Sequence, residues 1–397
     1  MTLAILAGDV IDPDGGRLGP STVTVDGGII AGVDAGHAAP DGAVVLDHRG
    51  STLLPGLIDA HVHLNLRADG STAETIAEPD GVLVATTIVN ARAALAAGIT
   101  TVRDVGSKAR TAFDARTGAA ASRFPLPRLL VAGPPVTPTD GHCWFFGGTA
   151  DGPAEVRTRV RELIEGGADW IKVMATGGGT PGTVPWEPSY SQAELDAIVD
   201  EAHGRDVKVT MHCLSAEGMS RAVHAGADHI EHAGFATDGT GGSRFDPALA
   251  DRMAAAGVVV TPTLSVRLFM RDHQIAIGAS PETIDAWQRR FDNGMQQFSR
   301  LYAAGVRFAA GTDAGWHRTP FDGLAEEIAC IAECGPGTAE ALRSATSATA
   351  THFGLAGHGT VRRNAPADLL IVDGDPLADP RALGRVRAVL RDGVLVA

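Results

Sequence analysis

The segment LPGLIDAHVHLNL, Leu54–Leu66, decides how the rest of the chain is read. Its apolar run carries two histidines separated by one residue. In a β-strand successive side chains point to opposite faces, so His61 and His63 project to one side with Val62 opposite them. Two imidazoles on one face of a strand end can share a metal ion.

Working outward, short apolar strands alternate with helical stretches. Strands are expected at GLIDAHVH, ITTVRDVG, RLLVAGPP, DWIKVMAT, VKVTMHC, DHIEHA, GVVVTPTL and VRFAAGTDAG. Helices are expected at VLVATTIVNARAALAAG, PAEVRTRVRELIEGG, SQAELDAIVDEAHG, EGMSRAVHAG, DPALADRMAAAG and AEALRSATSATATHFG. Several end on Gly, which suits a left-handed C-cap. Eight strands alternating with helices predict an α/β fold, a (β/α)8 TIM-like barrel, with an open doubly wound sheet as the alternative. Residues 1–55 and 357–397 instead show short β runs between turn signals such as DPDGG. They are expected to pair into a small β-sandwich domain beside a hydrolase barrel spanning 56–356.

In a barrel, reactive groups collect at the C-terminal strand ends. His61 and His63 end the first strand, Lys172 lies in the fourth, His212 ends the fifth, His232 the sixth and Asp313 the eighth. Any of these alone fits a structural role; their joint placement points to a metal site. Lys172, inside WIKVMAT, buries an ammonium among apolar neighbours, which is costly unless the charge is paired or lost. Either it pairs with Asp104 or Glu231, or the neutral amine has reacted with carbon dioxide to give a carbamate that bridges two metals.

PGLIDAHVHL, TTVRDVG, IKVMATGG, MHCLSAEG, DHIEHA, AAGTDAG and ADLLIVDGDPL together resemble the amidohydrolase superfamily, and within it the imidazolonepropionase-related branch that includes Xaa-Pro dipeptidases. The resemblance implies two divalent metal ions, zinc by default. His61, His63 and Asp313 would hold the more buried ion, His212 and His232 the more exposed one, and N6-carboxylated Lys172 would bridge them. It further implies attack by a metal-bridging hydroxide on an amide, carbamate or urea-like C–N bond, with Asp313 moving the proton and His142 polarising the carbonyl. A dipeptidase or N-acyl amino acid carboxypeptidase, or an esterase or lactonase, is the alternative on the same site. A mononuclear deaminase fits less well, because Lys172 is present and the acid after His212 is Glu217, five residues on. A non-catalytic relative should have lost ligands, and every position is filled.

Peptidases of this branch carry a Tyr after the sixth-strand His to grip the substrate carboxylate; here the residue is Phe235, which donates no hydrogen bond. Arg267 or Arg318 could replace it, and the missing phenol favours a neutral substrate. Asp104 is expected to orient a ligand, Glu231 and His229 to face away from the site, and the Thr176–Tyr190 loop to cover it with Trp186 as a wall.

The 397 residues hold 33 Lys and Arg against 47 Asp and Glu, a net charge of -14 without a basic patch, which argues against nucleic acid as partner. No apolar run approaches the roughly 20 residues of a membrane span. Without a basic start to the sequence or metal-finger cysteine spacing, a cytoplasmic enzyme of a small-molecule substrate is expected, with homo-oligomers possible by resemblance.

Overall fold

A computed structural model of the chain describes residues 2–69, 71–238 and 242–397. The first segment supplies β1 (Leu3–Asp12), β2 (Gly16–Arg17), β3 (Ser21–Asp26), β4 (Ile29–Ala35) and β5 (Val44–Pro55). Single-residue Gly56 separates β5 from β6 (Leu57–Val62), the strand that carries His61. Next come β7 (Ile99–Asp104), β8 (Arg128–Val131), β9 (Trp170–Met174), β10 (Lys208–His212), β11 (His229–Glu231), β12 (Val259–Thr261) and β13 (Arg307–Phe308). The last segment adds β14 (Leu369–Val372), β15 (Val386–Arg391) and β16 (Val394–Leu395).

The two end segments meet in one eight-stranded sheet, ordered β16-β15-β14-β5-β1-β3-β4 with β2 on β1. Pairing is antiparallel except between β1 and β5, and β14 runs against the end of β5 with Leu369 opposite Pro55 and Val372 opposite Thr52. Alternate apolar side chains of these strands, including Ile5, Val23, Leu53 and Ile371, form an apolar cluster of their own.

The central strands are parallel, which makes the chain an α/β protein. A three-stranded sheet β6-β7-β8 and a five-stranded sheet β13-β12-β11-β10-β9 follow chain order. Isolated parallel bridges pair Val62 of β6 with Ala314, which lies beyond β13, and Val173 of β9 with Val136, which lies beyond β8. Every strand expected from the sequence is present, though several are shorter. β13 stops at Phe308 because Ala310 donates its N–H to Ser344 O rather than to a neighbouring strand.

Two differences in the helices matter for the site. The stretch expected as one helix over 339–354 is two, Gly337–Ser344 and Ser347–Phe353. The chain bends at Thr346, where Ala345 O receives the N–H of Ile58. Between β12 and β13 stand helices Ser265–Ala276 and Pro281–Ala303, which the strand-by-strand reading passed over. The second starts on a Ser280 cap followed by Pro281, a strong start signal. Among the described residues no helix is long and apolar enough to cross a membrane.

Candidate metal centre

Asp59 fixes the first part of the site. Its carboxylate accepts the N–H groups of His61 and Thr312 (3.1 and 3.0 Å) and the Thr312 hydroxyl (2.7 Å), and burial pushes its pKa up to about 6. This ties β6 to the segment after β13 and sets His61 beside Asp313, whose own N–H donates to His61 O. Gly311 has to be glycine there, since a Cβ would lie 2.7 Å from Thr261 Cγ2 and 2.8 Å from the His61 nitrogen. Sequence reasoning missed Asp59; an acid two residues before an HxH pair in an otherwise apolar strand is the signal that reveals it.

As a result Asp313 Oδ1 lies 3.2 Å from both His61 Nε2 and His63 Nε2, which are 3.3 Å from each other. All three residues are buried, and their ligand atoms fit one metal ion. Burial works against ionising Asp313, yet His61 and then His63 hold its carboxyl well below the usual range.

The other expected ligands converge on the same place. His212 and His232 have ring centroids 4.7 Å apart, His61 and His232 5.1 Å, and His142 and His212 4.7 Å. Burial pushes His212 down to about 3 and drives His142 and His232 well below the ordinary imidazole value, so these rings are neutral and keep a lone pair. Lys172 is 1% exposed and forms no ion pair among the described residues. Burial lowers its pKa against the opposing pull of Glu231 and Asp313. The expected pairing with Asp104 or Glu231 is therefore not made.

Each candidate ligand ring is held from behind. His61 Nδ1 donates to Glu231 Oε2 (2.8 Å), His63 Nδ1 to Gly106 O (3.1 Å) and His212 Nε2 to Gly177 O (3.0 Å), while His232 Nδ1 is hydrogen-bonded to the Thr263 hydroxyl (2.8 Å). A carbonyl can only accept, so His63 and His212 carry their proton on the outer nitrogen and the inner one is a lone pair.

Glu231 corrects an expectation. It was expected to face away because alternation places it opposite His232, but β11 ends at Glu231 and His232 has φ +66°, so the alternation stops one residue early. Glu231 thus points inward to His61, and its other oxygen accepts from Arg103 Nη2 at 2.7 Å. His229 falls on the same side, 3.2 Å from Arg103 Nη2, and is buried rather than outward-facing. Asp104 also differs: it accepts the N–H groups of Leu64 (2.8 Å) and Gly106 (3.3 Å), shaping the backbone on both sides of His63 instead of holding a ring.

The six expected ligands and His142 line one cavity of about 200 Å3. It adjoins a second of about 270 Å3 that runs past Trp186 and Phe235; Gly179, Leu214, Arg267, Arg290 and His317 line both. The Thr176–Tyr190 loop is pinned at its base by Gly177 N–H to Glu187 O and Ser189 N–H to Ala175 O, which brings Trp186 to the wall. Phe235 packs its ring on Phe245 at 4.8 Å. Arg318 is exposed and lines neither cavity, which removes it as a substrate contact in this structure. A larger cavity, about 700 Å3, lies at the opposite ends of the strands near Lys208, Val259 and Arg307, away from the histidines.

Comparisons with known proteins bear on the fold and the family. Ochratoxinase from Aspergillus niger is 29% identical over 422 residues, covering 97% of this chain and 84% of its own. Among solved structures, a Xaa-Pro dipeptidase with methionine bound in its active site superposes with a TM-score of 0.88 at 29% identity, covering 100% of this chain and 99% of that one. A prolidase complexed with N-methylphosphonate-L-proline gives 0.86, also at 29% identity, with 100% and 99% covered. The description of the amidohydrolase family matches residues 52–396, from the end of β5 through the histidine-bearing strands to β16. A match of that extent, on a chain whose hydrolase neighbours share its whole fold, means that this protein belongs to the amidohydrolase family and is a hydrolytic enzyme.

Proposed function

We propose that the chain is a two-metal hydrolase cleaving a C–N bond, of amide, carbamate or urea type, in a small molecule. One observation carries the reading: four buried imidazoles, each with its outer nitrogen engaged by the protein, line one cavity with Asp313 and an unpaired Lys172. Such outer partners are what metal-ligating histidines require. His61, His63 and Asp313 would hold one ion and His212 and His232 the other. The imidazole-rich donor set suits zinc. Lys172, which lines the same cavity, would serve both ions as a carbamate: its neutral amine adds to carbon dioxide, an N–C bond forms, one proton leaves, and a neutral buried amine becomes a two-oxygen anion.

The bridges between the two central sheets support closure into a (β/α)8 barrel over 56–356. The separate apolar cluster of the end segments supports a small β-sandwich domain of 1–55 and 357–397.

When bound, the ions supply Lewis-acid polarisation of a carbonyl and an activated water near neutral pH. Asp313, with Oδ1 against two imidazoles, takes a proton from the attacking water on its other oxygen. It then delivers that proton to the leaving nitrogen, the two roles being consecutive. His142 is set by Thr180, whose hydroxyl oxygen accepts from Cys143 N–H and lies 2.8 Å from His142 Nδ1. With the Thr180 proton given to Nδ1, the ring carries its own proton on Nε2 and offers it to the carbonyl oxygen.

The reading is tested by metal analysis and a hydrolysis screen of N-acyl amino acids, aryl amides, carbamates and ureas against matched esters. About two ions per chain with C–N turnover is expected; two ions with ester turnover alone would reject it. Lys172→Met is expected to lower bound metal toward one ion and to cut kcat/KM by about a hundredfold or more. Two ions and full activity in that variant would refute the carbamate.

Gly178 offers a further check, since a Cβ there would lie 2.4 Å from His142 Nε2. Gly178→Ala should displace the ring and lower kcat by about tenfold to a hundredfold with stability retained. An unchanged kcat would remove His142 from the mechanism.

A further inference from the structure

The cavity of about 700 Å3 opens where β10, β11, β12 and β13 begin, at the end of these strands opposite His212 and His232. Its size is that of a small-molecule site, about 300–1,000 Å3. Lys208 starts β10 and Arg307 starts β13, and both line the cavity. The chain holds an excess of acids, yet neither cation forms an ion pair among the described residues. Each is held instead by one carbonyl at a helix end. Lys208 Nζ donates to His352 O at 2.5 Å, in the last turn of the helix Ser347–Phe353, and Arg307 Nη2 donates to Gly257 O, which follows the helix Pro247–Ala256. These contacts fix both side chains and leave their other N–H groups without a hydrogen-bond partner among the described residues.

The acids in the lining are engaged elsewhere. Asp228 accepts from His203 Nε2 and from the N–H of Val209, both at 2.8 Å. Glu340 stands in the first turn of Gly337–Ser344, where the positive end of its own helix favours it. Arg343, the third cation, is paired with Asp14 at 3.0 Å. The walls are shaped before anything binds, so little ordering opposes a ligand. His352 Nε2 lies 2.9 Å from Nδ1 of the buried His229, which ties this wall to the protein interior. Tyr302 and Phe308 pair edge to face at 5.8 Å, and Val223 and Val259 add apolar surface. Gly257, left-handed at φ +70°, keeps the approach to Arg307 open, since a Cβ there would lie 2.7 Å from Nη2.

We infer that this cavity is a second ligand site, separate from the histidine cluster, and that it takes a phosphate monoester with a ring-bearing apolar body. Two cations without acid partners match the charge of about -1.5 to -2 that such a phosphate carries, whereas a carboxylate would answer only one of them. Arg307 offers the planar fork that suits phosphate oxygens, and Lys208 adds a point charge. The aromatic pair Tyr302 and Phe308 gives the ligand's ring a wall.

The chain has two tyrosines, and they report on different ends of the strands. Tyr302 lines the cavity, whereas Tyr190 closes the Thr176–Tyr190 loop on the histidine side and donates its hydroxyl to Ala150 O. With 3-fluorotyrosine in the metal-loaded full chain, and Tyr302→Phe to assign the two signals, fluorine NMR shows which end a probe reaches. Phenyl phosphate should shift the Tyr302 signal saturably and bind about tenfold more tightly than benzoate or inorganic phosphate, while benzyl alcohol leaves that signal in place. Lys208→Met and Arg307→Met should each weaken phenyl phosphate by about tenfold, in variants whose circular dichroism matches the parent. A Tyr302 signal unmoved by phenyl phosphate, or movement of Tyr190 alone, overturns the inference. So does equal binding of benzyl alcohol, benzoate or inorganic phosphate by the parent, a comparison that needs no variant to fold. Binding that survives both substitutions unchanged overturns it as well.

Discussion

Asp313→Asn should lower kcat/KM by about 10²–10⁴ while leaving the protein folded. The substitution isolates proton transfer because of where Asp313 sits. Its φ is +60°, a left-handed conformation that Asn adopts readily and that most other residues resist. An asparagine therefore keeps the backbone, and its carbonyl oxygen keeps a contact with His61 and His63. What it loses is the ability to take and return a proton. The carboxyl is held well below its usual pKa, chiefly by His61 once burial is overcome, so in the parent it is ionised and ready to accept across the neutral range. Metal analysis and a pH–rate profile on the same sample decide the matter. Bound metal with the rate lost assigns Asp313 the proton-transfer role; activity within about tenfold of the parent places the proton on another group.

The second large effect is on stability. Arg103→Leu is expected to cost about 3–5 kcal/mol, because it leaves the Glu231 carboxylate buried without its cation. Both side chains are fully buried, and the guanidinium lies between the rings of Trp170 and Phe353 at 4.6 and 4.7 Å. Its Nε donates to Ala60 O, in the strand that carries His61. Against the penalty of burial, Arg103 and then His61 keep the Glu231 carboxyl well below its ordinary pKa. Denaturant unfolding measures the loss. The double variant Arg103→Leu with Glu231→Gln should recover much of it, since no uncompensated charge then remains. A double variant no more stable than the single one would show that the loss comes from packing against Trp170 and Phe353 rather than from charge.

The convergence of the candidate ligands on one cavity was legible because their positions follow from strand positions, which a sequence displays directly. His61, His63, Lys172, His212, His232 and Asp313 needed only the spacing of apolar runs to be placed together. The residues behind them were not, and the reason is local geometry. Alternation was carried one residue too far past β11, so the positive φ of His232 turned Glu231 and His229 the other way. Arg103 left a readable trace, a charge inside the apolar TTVRDVG strand that had to find a partner, but not the identity of that partner. The helices Ser265–Ala276 and Pro281–Ala303 were hidden for a different reason: an eight-strand count was already complete without them.

The pairing of β14 with β5 also has a consequence in time. About 310 residues separate the two strands, so on a ribosome adding about 5–20 residues per second β5 waits on the order of 15–60 s for its neighbour. Throughout that interval the strand that leads directly into His61 has an unpaired edge, open to any other extended segment. Slow or crowded synthesis should therefore lower the yield of native enzyme through this edge first, before any defect in the histidine cluster is felt.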